Sequence, residues 1–321
     1  MFGLSKVRKR RKSDESQLMQ LIKQGSPSQL ITSQVVGDRF QQLFSVIHGI
    51  KNQAKAAAFY QAEQFHFLKL VNDNPKIAAC TKLSLYGVFM DVAVNGLSFD
   101  PSMKHLYVVP YNVNVGTKQE PKWEARASLQ ISGQGELLLR TLQGQIKYAD
   151  NPVLVYEGDE FKFGSRDGKV ILDHVASIPR KSNNIIASYL KITRHDDTID
   201  YKVLTAEDIA SFRKFSKDPN SKAWTDGMPG MVQAKTIKHA FKNYPKVRVG
   251  EFSKMESETI DTEIEPENVT IDYGLTPEAI APAVNEAAQP AAATAPADDN
   301  SFAETTVVKE GASIVHQDEN F

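Results

Sequence analysis

The hydrophobic pattern of this chain changes its period along the sequence, and this change limits the folds that the chain can adopt. Residues 35–72 and 77–94 have helical spacing, and the second segment is apolar on most faces, which predicts a buried helix. Asn74-Pro75 and Asn95-Gly96 are residue pairs typical of helix starts and helix ends. Strand patterns, rich in β-branched and aromatic residues, follow at residues 105–109, 123–131, 146–156, 161–163, 170–175, 185–193 and 201–204.

Charge is segregated along the chain, although the formal net charge of the 321 residues is only −1. Residues 251–321 hold sixteen acidic and two basic residues, which leaves residues 1–250 with a net charge of +13. A basic body favours a polyanionic partner, and the alternative is a body that lysine merely keeps soluble. We predict a flexible basic arm over residues 1–34, a folded core over 35–250, and a mostly disordered, acidic, Ala/Pro-rich tail over 251–321.

The motifs that are present and absent limit the kinds of catalytic or cofactor site that the chain can have. The sequence has no Walker loop, dinucleotide fingerprint, CxxC pair or HExxH. Its one cysteine, Cys80, lies in an apolar helical stretch, so we expect a buried thiol in a reducing cytoplasm. No apolar run has the length of a membrane span, and the N-terminus does not read as a secretory signal. Asp150, Glu160 and Lys162 imitate the acidic and E-x-K elements of a metal-dependent nuclease, which leaves that alternative open.

The last helical pattern, over residues 228–244 and ended by Pro245, is the most informative segment. At 100° per residue, Lys235, Lys238, His239 and Lys242 fall on one face, and Ile237, Ala240, Phe241 and Tyr244 fall roughly opposite. A row of cations along a helix suits a phosphate backbone, but a solvated helix face has the same pattern.

Basic residues alternate with aromatic ones just before this helix. The segment contains Arg213, Lys214, Phe215, Lys217, Lys222 and Trp224. This mixture fits single-strand nucleic acid, in which rings stack on bases and cations hold phosphates. The alternative is a lysine-rich loop whose Phe215 and Trp224 are part of the core.

Polar residues also mark the predicted central strands. Arg126 and Gln130 are an even number of residues apart and therefore share one strand face, opposite Ala125, Ala127 and Leu129. Lys104, Tyr107 and Arg140 lie on or near the same strands. Such a face is either an exposed sheet surface or the floor of a DNA groove.

Several short motifs occur in the order typical of one family. Asn95-Gly96-Leu97 precedes Tyr107-Val108-Val109-Pro110, then come Ile131-Ser132-Gly133-Gln134-Gly135, Arg140 and Glu157-Gly158-Asp159-Glu160-Phe161, and last Ser216-Lys217, Trp224 and Ala234-Lys235-Thr236-Ile237-Lys238. Over residues 75–250 this series resembles the RecT family of phage and prophage single-strand annealing proteins. The chain departs from the family pattern at Ser132, Gln134 and His239.

The resemblance implies an α+β fold, in which a small antiparallel sheet packs with helices and the core assembles into rings or helical filaments. It implies ATP-independent annealing of complementary single strands in phage-type recombination, without bond-making chemistry. The resemblance further implies that annealing needs no cofactor and that Mg²⁺ is at most an aid to annealing. The runners-up are the metal-dependent nuclease and a passive single-strand DNA-binding replication protein.

The resemblance also implies partners. These are single-stranded DNA, the annealed duplex, further copies of the chain, a 5′→3′ exonuclease and the host single-strand binding protein, with the C-terminal region as a docking segment. No membrane is involved, and a phage-encoded protein would act in the cytoplasm of a bacterial host. The candidate nucleic-acid contacts are Lys104, Tyr107, Arg126, Gln130, Arg140, Arg213, Lys214, Lys217, Lys222, Trp224, Lys235, Thr236, Lys238, His239 and Lys242.

Overall fold

Six helices form the first part of the chain in the computed structural model, which describes residues 2–216 and 218–245 and, among these, side chains from residue 13 onward. Their bounds are Phe2–Gln24 (α1), Pro27–Thr32 (α2), Gln34–Ile47 (α3), Gln53–Asp73 (α4), Pro75–Ala78 (α5) and Lys82–Asn95 (α6). Within the described residues, no helix is both long and apolar enough to cross a membrane.

Local sequence explains where these helices begin and end. Ser26 caps α2 through a capping box with Gln29, and Pro27 occupies the first turn. The Asn74 side chain accepts hydrogen bonds from the first backbone amides of α5, as the Asn-Pro pair predicts. Gly96 ends α6 with φ +74°, the left-handed conformation that glycine adopts without strain.

The largest core cluster lies among these helices. It includes Phe40, Phe67 and Phe89, and nearly all of α6 is buried, as its apolar sequence predicts. Leu18, Ile22, Leu30 and Ile31 also belong to this cluster. The flexible arm predicted for residues 1–34 is therefore wrong over residues 18–31, because the amphipathic spacing of these four residues was hidden behind the basic run.

Two long strands, Leu106–Asn114 (β1) and Trp123–Ile131 (β2), pair antiparallel over their full lengths. One face of this ribbon packs on the helical core through Val108 and Ala127, and Ala125 and Leu129 pack beside them. Strand β1 extends past the predicted end at residue 109, because all nine of its residues find partners in β2. Pro110 is tolerated because β1 is an edge strand.

The other strands form a four-stranded antiparallel sheet and a separate hairpin. In the sheet, Tyr148–Ala149 (β3) and Val153–Tyr156 (β4) pair with successive parts of Ile185–Thr193 (β7), and Ile199–Thr205 (β8) pairs along β7 as well. The hairpin consists of Glu160–Arg166 (β5) and Lys169–Val175 (β6). Three helices complete the fold: Gly133–Leu142 (α7), Ala206–Lys214 (α8) and Met228–Ala240 (α9).

The α+β class with small antiparallel sheets is confirmed. Three other predicted elements are divided or end early. The pattern over 146–156 forms two strands, since Pro152 between them has no amide to donate. The helix expected over 77–94 splits into α5 and α6, because Thr81 caps a new helix. The helix expected to reach residue 244 ends at Ala240 and continues as turns.

Candidate nucleic-acid interface

The turn between β2 and α7 contacts three parts of the fold: the residues before β1, the start of α7, and α9. Ser132 caps α7 by accepting a hydrogen bond from the Gly135 amide, and its hydroxyl donates to the Lys104 carbonyl oxygen. A side chain at Gly135 would have its Cβ 2.1 Å from the His105 carbonyl oxygen, so only glycine fits there. At Gly133 a Cβ would lie 3.1 Å from Ile237 Cδ1 of α9. The two glycines of this motif therefore serve close packing.

Helix α9 lies against one face of the four-stranded sheet. Ile237, Ala240 and Phe241 are buried with Leu190 and Ile192 of β7, which confirms the predicted apolar side of this helix. The predicted contact Thr236 lies on the buried side too. The Thr236 hydroxyl is 2.9 Å from Ser188 Oγ and 2.8 Å from the Val232 carbonyl oxygen, and Thr236 as a whole is almost completely buried. Thr236 therefore holds α9 on the sheet and offers nothing to a ligand in this structure.

The cations of α9 meet helix α8 around Phe212. Lys235 Nζ lies 5.8 Å from the centre of the Phe212 ring, within cation–π range. The His239 ring meets the same Phe212 edge-on, with 5.9 Å between ring centroids. Lys238 is exposed as a residue, yet desolvation of its ammonium group and repulsion from Lys235 lower the pKa of that group. Phe212 thus joins the cationic side of α9 to α8.

The end of α8 adds a cation and an aromatic ring. Lys214 is exposed, and the next residue, Phe215, is 82% exposed. Trp224 has the opposite environment. Its residue is 1% exposed and packs with Leu204, Ile209 and Val232, so its ring has no free face for a base. The sequence offered Phe215 and Trp224 as candidate rings for stacking. The structure exposes Phe215, whereas only Trp224 was included among the candidate contacts.

We call the following residues the helix surface: Lys214, Phe215, Lys235, Lys238, His239 and Lys242. Lys242 is exposed in the turn that follows α9. Three other predicted contacts belong to the same stretch of sequence. Arg213 is partly buried and donates from Nε to the Pro219 carbonyl oxygen at 2.8 Å, which fixes the loop after α8. Lys222 is exposed in the turn before α9, and Lys217 lies outside the described residues.

Arg140 is a structural clamp, contrary to its predicted role as a nucleic-acid contact. Its guanidinium is buried and donates to Glu136 at 3.2 Å, to Gln145 at 2.9 Å and to the Pro245 carbonyl oxygen. The same group lies 5.4 Å from the centre of the Phe241 ring. Arg140 thereby fixes the chain that leaves α9, and it positions Lys242 without reaching the solvent.

The outer face of the β1–β2 ribbon forms a second polar and aromatic area. Tyr107 pairs in register with Gln130, and Tyr111 pairs with Arg126. Tyr107 is 54% exposed, and Gln130 Nε2 donates to the Tyr111 hydroxyl. Arg126 makes an ion pair with Glu124 at 2.8 Å, so part of its charge is already neutralised. We call Tyr107, Tyr111, Arg126 and Gln130 the ribbon surface; Lys104, exposed with φ +53°, precedes it.

The Glu157–Phe161 motif builds a turn rather than a contact surface. Asp159 accepts hydrogen bonds from the amides of Ser177, at 2.8 Å, and Tyr156, at 2.9 Å, and these bonds lower the pKa of its carboxyl group. His174 Nε2 lies 3.3 Å from the same carboxylate. Asp159 thus anchors the β5–β6 hairpin to the sheet.

Two residues of the nuclease alternative have other partners in the structure. Asp150 forms an ion pair with Lys191 at 3.4 Å, whereas Glu160 pairs in the hairpin register with Val175. Among residues 2–216 and 218–245, no three His, Cys, Asp or Glu side chains are grouped so that they could hold a metal ion. Among the described residues, Asp150 and Glu160 therefore belong to no cluster of three potential metal ligands.

Comparison with known proteins agrees with these motifs. The profile that describes the RecT family matches residues 63–270. The chain belongs to the RecT family. It is also similar to Protein RecT of Escherichia coli (strain K12), with 26% identity over 174 residues. That match covers 53% of this chain and 61% of the relative, so it spans about three-fifths of the length of the relative.

The RecT-family match includes both candidate surfaces. It begins in α4 and continues through the ribbon surface, the Glu157–Phe161 turn and the helix surface. Helices α1 to α3 lie before it. In this member of the RecT family, several residues of the family motifs are therefore structural, namely Gly135, Arg140, Asp159, Trp224 and Thr236.

Proposed function

We propose that the protein binds single-stranded DNA and anneals complementary strands without ATP, as part of homologous recombination. The observation that carries the proposal is the helix surface. It combines the exposed cations Lys214, Lys238 and Lys242 with an exposed ring at Phe215, in a chain that belongs to the RecT family. Cations that follow a backbone and rings that stack on bases are the features of sequence-tolerant single-strand binding.

In this proposal each protomer holds a few nucleotides of one strand and leaves their base-pairing edges accessible. Phosphate contacts give affinity without sequence preference, and they make binding sensitive to salt. Further copies of the chain assemble along the strand as a ring or helical filament. Correct base pairing with the second strand, rather than protein contacts, then sets the specificity of annealing.

The proposed partners follow the family. They are single-stranded DNA, the annealed duplex, a 5′→3′ exonuclease and the host single-strand binding protein, with the acidic segment 251–321 as the docking region. The reaction makes or breaks no covalent bond and needs no cofactor, and Mg²⁺ acts only as an aid. The site of action is the cytoplasm, that of the bacterial host if a phage encodes the chain.

One gel experiment tests this function against its rivals. Two complementary labelled strands are mixed with the full chain, without ATP, in the presence and absence of Mg²⁺. Rapid formation of duplex supports annealing. Shortened strands would instead support a nuclease, and binding without duplex formation would support a passive coat on single-stranded DNA.

A further inference from the structure

A cleft lies on the side of the four-stranded sheet away from α9. Its volume is about 310 Å³, which is the lower end of the range for small-ligand sites. The floor comes from β7 and β8, and the β5–β6 hairpin forms a wall. The polar and aromatic side chains of its lining are Asp150, Asp173, His174, Tyr189, Lys191 and Tyr201.

The strand register separates this cleft from the helix surface. Side chains alternate between the two faces of a strand, so Tyr189 and Lys191 lie opposite Leu190 and Ile192, which pack against α9. Tyr201 pairs directly with Lys191 and shares its face. A molecule in the cleft therefore contacts none of the side chains that the sheet buries under α9.

The floor of the cleft is aromatic and held in place. The Tyr189 and Tyr201 rings meet edge-on, with 6.1 Å between their centroids. The Tyr189 hydroxyl lies 3.2 Å from His174 Nδ1, and His174 in turn lies 3.3 Å from the Asp159 carboxylate. This series of contacts, from Asp159 through His174, fixes the Tyr189 ring, so a flat ligand would meet a preformed surface.

Polar groups also line the cleft. Lys191 Nζ is 3.4 Å from Asp150 Oδ2, and both side chains are partly exposed. Together with Asp173 and the Tyr189 hydroxyl, this pair offers one cation, two carboxylates and a neutral donor–acceptor. A nucleobase has a flat apolar face and an edge that carries both donors and acceptors, and its strand supplies a phosphate for a lysine.

We infer that this cleft binds one unpaired nucleobase of single-stranded DNA. The base stacks on Tyr201 beside Tyr189, its edge meets Asp150 and the Tyr189 hydroxyl, and Lys191 faces its phosphate. This inference rests on the proposed function, since the base belongs to a strand that the protein holds. It adds a contact on the face of the sheet opposite the helix surface, where no family motif quoted above directs a side chain to DNA.

The test uses an oligothymidylate that carries a single 5-iodouracil, cross-linked to the full-length protein by ultraviolet light. We expect mass spectrometry of the digested adduct to find the cross-link on Tyr189 or Tyr201. Tyr201→Ala should lower the yield of that adduct roughly tenfold, since it removes one stacking ring. Adducts confined to Phe215, Tyr107 or Tyr111 would overturn the inference.

The chain offers a closely matched control for the lysine. Lys191 and Lys202 have side chains that are each 35% exposed, and each forms an ion pair with one aspartate, at 3.4 Å and 2.9 Å. Lys202 pairs with Leu190 and lies on the other face of the sheet. Lys191→Ala should reduce the adduct while Lys202→Ala leaves it unchanged. An equal effect of both changes would refute the cleft as the binding site.

Two further measurements separate the possible failures. Fluorescence anisotropy and strand annealing are measured on the same preparations. If the wild-type protein binds and anneals DNA but no adduct forms in the cleft, the inference alone is wrong. If the wild-type protein does not bind single-stranded DNA, the proposed function and this inference both fail. Equilibrium dialysis with dTMP distinguishes a site for a DNA strand from a site for free nucleotides. Binding of dTMP as tight as that of the oligonucleotide would overturn the assignment to a strand.

Discussion

Replacement of Lys235 and Lys238 by alanine tests whether the helix surface contacts phosphates. Each phosphate contact to a single strand contributes about 0.7 to the slope of log affinity against log salt, so losing two contacts should reduce that slope by about 1.4. Between about 50 and 200 mM salt, the ratio of wild-type to variant affinity should therefore fall about sevenfold. A uniform loss of affinity at every salt concentration would not have this signature.

Lys235 has a second role that the assay must separate from binding. Its ammonium group lies over the Phe212 ring, a contact worth about 0.5–1 kcal/mol at exposed sites. We expect a small loss in the free energy of unfolding, measured by thermal denaturation. Lys235→Arg keeps both the charge and the ring contact, and it should restore both stability and salt dependence.

The control must remove the same charge from another surface. Lys55 and Lys69 are both exposed on α4, in the helical part of the chain. The variant with alanine at both positions has the same net charge as the test variant. Fluorescence anisotropy over a salt series compares the two. If the slopes of the two variants are equal, or if the Lys235/Lys238 variant has the wild-type slope, the helix surface is not the site.

Four further predictions follow from particular environments. Phe215→Ala should weaken single-strand binding by about 1–3 kcal/mol in a filter assay with little change in stability, and Phe215→Trp should restore it; equal binding by all three proteins would exclude stacking at this position. Burial and Lys235 lower the pKa of Lys238 below its ordinary 10.5, so DNA binding should begin to weaken at a lower alkaline pH than it would with an unperturbed lysine. Lys238→Arg should keep its charge at that pH and so prevent the weakening. A pH titration in which the wild-type protein and Lys238→Arg bind DNA alike would contradict this prediction. Burial raises the pKa of the Cys80 thiol to about 11, so at about pH 8 only about one thiol in a thousand is ionised, and a thiol reagent should react slowly until the protein is denatured; fast labelling of the native protein would refute this. Deletion of residues 251–321 removes sixteen acidic and two basic residues and should raise DNA affinity or abolish partner binding, and if neither changes, the segment is a spacer.

The sequence predicted the elements of the fold more reliably than the roles of the site residues. Period and capping residues are local, so β2, β7 and the Asn74 and Gly96 boundaries came out as expected. The N-terminal helices were missed because a run of basic residues dominated the composition there. Their apolar positions, such as Leu18 and Leu30, become informative only once they have α6 to pack against.

Residue type alone could not separate contacts from supports. Arg140 and Trp224 are residue types that nucleic-acid sites favour, yet the fold uses one as a buried clamp and the other as core. Both roles depend on residues far away in sequence, such as Pro245 for the arginine. The exposure of Phe215 had a local signal, since it directly follows the basic end of α8, and that signal was underweighted.

The Arg140 clamp has a consequence for everything that follows it in the chain. It ties the carbonyl of Pro245 to α7, three residues after Lys242. Glu251, the first acid of the C-terminal segment, is six residues further on, and so in any conformation it stays within about 22 Å of the clamp. The first carboxylate of the acidic segment is thus joined to α9 by a short length of chain, which raises its effective concentration near the α9 cations. A mutation that released Arg140 would lengthen this tether and lower that effective concentration without altering a single charge on the helix surface.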